Sequence, residues 1–165
     1  MENNNTKRHK VFFYVFGVLT LLHVVFIFSN SLRNAAESNS HSGFFVKFVI
    51  EFVLGLDYSE QSPVFIADVT HYVRKFAHFS EFALLSVYFL STVLSYGKRI
   101  VSSVIPSILF CFAIGCTDEF LQRFSEGRSC QLSDAFIDCA GGIFGAAVFC
   151  AVFFLLKKCL RRINE

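Results

Sequence analysis

Four runs of apolar residues, about 11–28, 76–96, 100–117 and 135–156, dominate this chain and limit what it can become. Each has the roughly 20 residues that an α-helix needs to cross a hydrocarbon core about 30 Å thick. Of all residues 54% are hydrophobic and 23 are Phe, more apolar surface than a soluble domain of 165 residues can hide. Lipid must therefore be part of the solvent. The length suits one domain covering 1–165. The predicted fold is an all-α integral membrane protein, a four-transmembrane-helix bundle with an additional outer interfacial amphipathic helix.

Charge placement orients the bundle. Lys7, Arg8 and Lys10 precede the first run, Lys98 and Arg99 separate the second from the third, and Lys157, Lys158, Arg161 and Arg162 follow the fourth. With four spans these nine of the fifteen basic residues share one side, which the positive-inside rule makes cytoplasmic. The chain is thus expected in the cell membrane, multi-pass, with both termini cytoplasmic and with Ser29–Lys75 and Asp118–Asp134 facing outward. A cleaved signal peptide is the rival reading of the N-terminus. The first run is longer than the 7–15 residues of an ordinary signal core, and its loss would put the basic ends on opposite sides. Within the first outward segment, Phe44, Phe48, Phe52 and Leu56 recur at intervals of four, opposite Lys47 and Glu51. This stretch, about 44–56, is too short to span and is predicted to lie in the outer interface. No two of the six cysteines form C-x-x-C, so packing is expected of them.

Ionisable side chains near the centre of a membrane each cost about 2.5–3.5 kcal/mol, so their presence calls for a reason. Arg74, His78, Glu81 and Leu85 share one face of the second run. Cys111, Gly115, Asp118 and Gln122 share a face of the third, with Glu119 adjacent. Asp134, Asp138, Gly141, Gly142 and Gly145 line the fourth. The polar ends of all three faces fall on the outward side, where Arg123 and Arg128 sit in a connecting loop. The predicted ligand-binding set is Arg74, Lys75, His78, Glu81, Asp118, Glu119, Gln122, Arg128, Asp134 and Asp138.

These residues fall into three ordered blocks. The first is R-K-x-x-H-x-x-E-F at Arg74, Lys75, His78, Glu81 and Phe82. The second is D-E-x-x-Q at Asp118, Glu119 and Gln122. The third is G-R followed by two aspartates and a glycine, at Gly127, Arg128, Asp134, Asp138 and Gly141. Together they resemble the VanZ-like membrane protein family, over about Val11–Leu156. The F-S-N-S stretch at Phe28–Ser31 looks like the opening of that family's first outward loop, and Phe82 departs from a position where the family often has Tyr. The resemblance implies an integral protein of the cell envelope that contributes to glycopeptide (teicoplanin-type) antibiotic resistance. It implies no particular reaction.

Four readings compete for the polar set. The first is an outward pocket recognising an anionic lipid-linked or glycopeptide-type ligand, with membrane lipid as surroundings and no nucleic-acid partner. The second is a hydrolase or transferase acting on a lipid-linked envelope substrate, with His78, Glu81 and Asp138 as candidate catalytic residues. No Ser or Cys is placed as a nucleophile for it, so water would have to attack. The third is a divalent-metal site, which is less favoured because helical di-metal bundles repeat their His-bearing motif and this one has a single matching His. The fourth is a scaffold in which the ion pairs only fix helix register. Among the glycines, Gly141-x-x-x-Gly145 is expected to admit a neighbouring helix at close range.

Overall fold

The computed structural model describes residues 4–33, 43–125 and 131–163. Five helices of two turns or more and a single 3₁₀ turn at Tyr58–Glu60 are found there, and no strand occurs among those residues. Helix α1 spans Asn4–Ser31, and α2 spans residues 43–53. Pro63–Ser95 forms α3, Ile100–Gln122 forms α4, and Leu132–Ile163 forms α5. Among the described residues, four helices (α1, α3, α4 and α5) are long and apolar enough to cross a membrane.

Every long helix outruns the span expected for it, and α3 does so most. Its apolar run was placed from about 76, yet the helix begins at Pro63. The Ser62 side chain accepts the Phe65 N–H at 3.2 Å and Pro63 occupies the first helical position, a strong pair of start signals. At 1.5 Å per residue its 33 residues are about 50 Å long, well beyond a hydrocarbon core of about 30 Å. The polar early turns carrying Asp68, His71, Arg74 and Lys75 lowered the apolar average without breaking the helix. Likewise, Phe28–Ser31 is not the start of a loop but the last turn of α1.

The expected amphipathic helix is present and slightly shorter than predicted. Residues 43–48 are α-helical and Val49–Val53 widen into a π-turn. Gly55, at φ +68°, adopts the left-handed conformation that ends it. Its packed side is Val46 and Ile50, both buried, while Phe44, Phe45, Phe48 and Phe52 stay exposed. Lys47 and Glu51 pair at 3.7 Å, as their spacing of four anticipated.

The four long helices alternate up and down. The Phe13 and Tyr96 rings sit 5.5 Å apart and those of His23 and Tyr88 5.6 Å apart, which makes α1 antiparallel to α3. Phe89 stacks on Phe110 at 4.4 Å, and Ser86 shares a 3.0 Å hydrogen bond with Ser107, joining α3 to α4. Gly97, at φ +86°, permits the tight reversal between them. Helix α5 runs parallel to α3 at very close range. A Cβ at Gly141 would overlap the Phe79 carbonyl oxygen, and one at Gly145 that of Ala83. The expected glycine contact is therefore real, with α3 as its partner.

Helix α4 reverses the pattern of a soluble helix. Its buried residues are Ser103, Ser107, Cys111, Gly115, Asp118, Glu119 and Gln122, while Val101, Ile105, Leu109 and Phe112 are exposed. With lipid outside there is no gain from hiding Leu or Ile, so small and polar groups take the interior. Among the buried apolar residues, Ile27, Phe82, Leu85 and Cys111 form one cluster. Phe82, at a position where the resembled family often has Tyr, is fully buried there.

Candidate functional site

The polar residues gather at one end of the bundle, in two adjoining places. The first lies inside the seam between α3, α4 and α5. Asp118, Glu119 and Asp138 are 0%, 3% and 1% exposed, and one carboxylate oxygen from each lies within 4.8 Å of the others. Asp118 accepts hydrogen bonds from the Ser31 hydroxyl and from Gln122 Nε2 at 3.0 Å. Glu119 accepts from the Gln131 backbone N–H at 2.9 Å. Neither oxygen of Asp138 has a hydrogen-bond partner among the described residues. Gly115 makes room for it, since a Cβ there would come 3.1 Å from the Asp138 Cβ.

The second place is a cleft of about 820 Å³ between α1, α2 and α3. Phe26, Phe45, Phe48, Tyr72 and Phe76 form the aromatic part of its wall. Asn30, Arg33, Arg74, His78 and Glu81 supply its polar side. Asn30 Nδ2 donates to Glu81 Oε1 at 3.4 Å, and His23 Nε2 meets the Glu81 backbone oxygen at 2.9 Å, so α1 holds this stretch of α3 from two positions.

Of the ten residues expected to bind a ligand, Arg74, His78 and Glu81 line the cleft. Asp118, Glu119, Gln122 and Asp138 are buried in the seam. Lys75 and Asp134 pair with each other at 3.2 Å across α3 and α5. Arg128, with Gly127 and Cys130, lies outside the described residues. Arg123 follows α4 directly and is exposed.

Several participants carry no clear mark in the sequence. Ser31 reaches Asp118 and its carbonyl accepts the Ser125 hydroxyl at 2.7 Å, which ties the end of α1 to the end of α4. Asn30, Arg33 and His23 were likewise unassigned. The available signal was F-S-N-S itself, polar side chains at the very end of an apolar run and at the same membrane level as the acidic blocks.

The VanZ/LLP1 family model matches residues 15–156, which include every described residue of both places. This chain belongs to the VanZ/LLP1 family. No curated protein and no solved structure matches it. The VanZ/LLP1 match and the four apolar helices together make this a multi-pass membrane protein. The described residues of the three polar blocks of this VanZ/LLP1 member lie on α3, α4 and α5 and come together through tertiary packing.

Proposed function

We propose that this VanZ-like protein recognises an anionic, lipid-linked envelope ligand in the cleft between α1, α2 and α3, and thereby contributes to teicoplanin-type glycopeptide resistance. The observation that supports this most is the lining of the cleft, an aromatic wall with two guanidinium groups, Arg33 and Arg74, on its polar side. Its 820 Å³ falls within the roughly 300–1,000 Å³ usual for small-molecule sites. A hydrocarbon chain would lie along Phe26, Phe45, Phe48 and Phe76. A phosphate or carboxylate would be taken by arginine, whose planar fork matches such groups bidentately. His78 and Glu81 then set the hydrogen-bonding pattern at the headgroup. The other sequence-selected residues act behind this surface. Lys75 and Asp134 join α3 to α5, and the Asp118 network positions α1, whose end forms one wall of the cleft.

Binding is tested with purified protein in nanodiscs, using a long-chain polyprenyl phosphate as probe and teicoplanin in a parallel titration. The double variant R33A/R74A is expected to weaken polyprenyl phosphate binding by about tenfold or more, since a charged hydrogen bond is worth about 1.5–3 kcal/mol. Loss of teicoplanin resistance in cells carrying that variant connects the cleft to the phenotype. Equal binding by wild type and variant sinks the proposal, and tight binding of teicoplanin alone replaces the lipid by the glycopeptide.

The same reading places both chain ends and the α3–α4 turn in the cytoplasm, on the strength of the basic residues there. In a background without native cysteines, an impermeant thiol reagent applied to intact cells is expected to label S59C and to spare K98C. The opposite pattern inverts the orientation and puts the cleft inside.

A further inference from the structure

We propose that Asp118, Glu119 and Asp138 bind one hard divalent cation in the seam between α3, α4 and α5. This goes beyond the cleft reading, shares none of its lining residues, and is tested without any lipid or antibiotic.

Spacing is the first support. Oxygen ligands sit about 2.0–2.6 Å from Mg²⁺ or Ca²⁺, so two of them on one ion are separated by no more than about 5.2 Å. One oxygen from each of the three carboxylates meets that limit, all within 4.8 Å of one another. They come from two helices, with Asp118 and Glu119 on α4 and Asp138 on α5, and so surround a common point rather than line a surface.

The second support is independent of the clustering. Asp138 is 1% exposed, and both its oxygens lack a hydrogen-bond partner among the described residues. Buried polar groups are ordinarily satisfied, and buried charges are paired or bind metal. Its side chain points into the carboxylate cluster. A proton on Asp138 would engage one oxygen and leave the other as it is, whereas a cation can engage both.

The surroundings are those of ligating carboxylates. Ser31 and Gln122 donate to Asp118, and the Gln131 N–H donates to Glu119. Each carboxylate oxygen keeps a lone pair beyond such a bond, and outer donors of this kind hold ligands in orientation. The donor set is oxygen only, which favours Mg²⁺, Ca²⁺ or Mn²⁺ over Zn²⁺ or copper. The buried Cys111 thiol is turned to the Phe82 carbonyl at 3.9 Å and stays outside the set.

The test uses the full chain in detergent, stripped with EDTA and titrated with Mn²⁺ alone. Electron paramagnetic resonance counts bound ion, and Ca²⁺ and Mg²⁺ serve as competitors. Wild type is expected to bind about one Mn²⁺ per chain and to melt at higher temperature as the ion concentration rises, because a ligand of the folded state stabilises it. D138N and E119Q are each expected to lose at least about tenfold in affinity, whereas E60Q, an exposed carboxylate elsewhere, binds as wild type does. Using two separate variants guards against one that fails to fold, and only monodisperse preparations are compared. Absence of saturable binding of all three ions to folded wild type overturns the proposal. So does a D138N protein that binds Mn²⁺ as wild type does, or one that melts higher than wild type at every ion concentration, which assigns the cluster to protons.

Discussion

The seam between α3, α4 and α5 is closed by glycine, serine and carboxylate, whereas the cleft that α3 forms with α1 and α2 is held open by aromatic rings. One helix serves both, with different faces. Toward α5, Phe79 and Ala83 offer bare backbone to Gly141 and Gly145. Toward α1 and α2, Tyr72, Phe76 and Arg74 line the cleft. The difference shows how a membrane protein makes a site. Where backbones can touch, polar groups are sealed in and held at fixed distances, and where bulky rings intervene, a cavity remains for something amphipathic.

The largest effect should come from filling the seam. G145L places a branched side chain where the Ala83 carbonyl lies, and overpacking costs about 1–3 kcal/mol or more. The variant is expected to lose monodispersity in detergent chromatography or to melt well below wild type. The matching change in the cleft, A77L, should stay folded and only reduce ligand binding. Equal behaviour of the two variants would erase the distinction between seam and cleft.

A smaller effect is expected from the wall of the cleft. In F45S/F48S two rings are removed that are 61% and 47% exposed, so little packing is lost. Affinity for the polyprenyl phosphate should fall by about tenfold, corresponding to about 1.4 kcal/mol, with the melting temperature nearly unchanged. A large fall in melting temperature with intact binding would make α2 a packing element instead.

The smallest effect concerns the link from α2 to α3. The Ser59 hydroxyl and N–H reach Asp57 Oδ1 at 2.6 and 2.8 Å and hold its carboxyl below the usual value of 3.8. A lowered value in the folded state gives a stabilisation that is complete above about pH 3.8 and disappears as pH falls through the lowered value. The protection factor for hydrogen exchange at Tyr58–Glu60, taken against the intrinsic rate at each pH, should therefore fall in acid for wild type and vary less with pH in D57N. The seam should not respond to D57N, and a response there would couple the two regions.

Much of this could be read locally. The continuous apolar runs, the Gly141 and Gly145 face of α5 and the Lys47–Glu51 pair rest on periods within one helix, and each is found where expected. The early turns of α3 were missed because hydropathy averages over a window, and Asp68, His71, Arg74 and Lys75 depress the average while a capped helix runs through them. Ser31 was missed for another reason. Its partners Asp118 and Ser125 stand 87 and 94 residues away, and no periodicity within a segment reports such a pair.

By itself the sequence determined that the chain is a helical membrane protein with three polar faces at one level, because hydrocarbon admits only long apolar helices and tolerates charge only for a reason. Tertiary structure decided how those faces divide. Gly141 and Gly145 draw α5 against α3 and close Asp118, Glu119 and Asp138 into the seam. Arg74, His78 and Glu81 line the adjoining cleft that α1 and α2 complete. Backbone contact distance, set by the absence of two Cβ atoms, separates a sealed carboxylate cluster from an open arginine-bearing cavity.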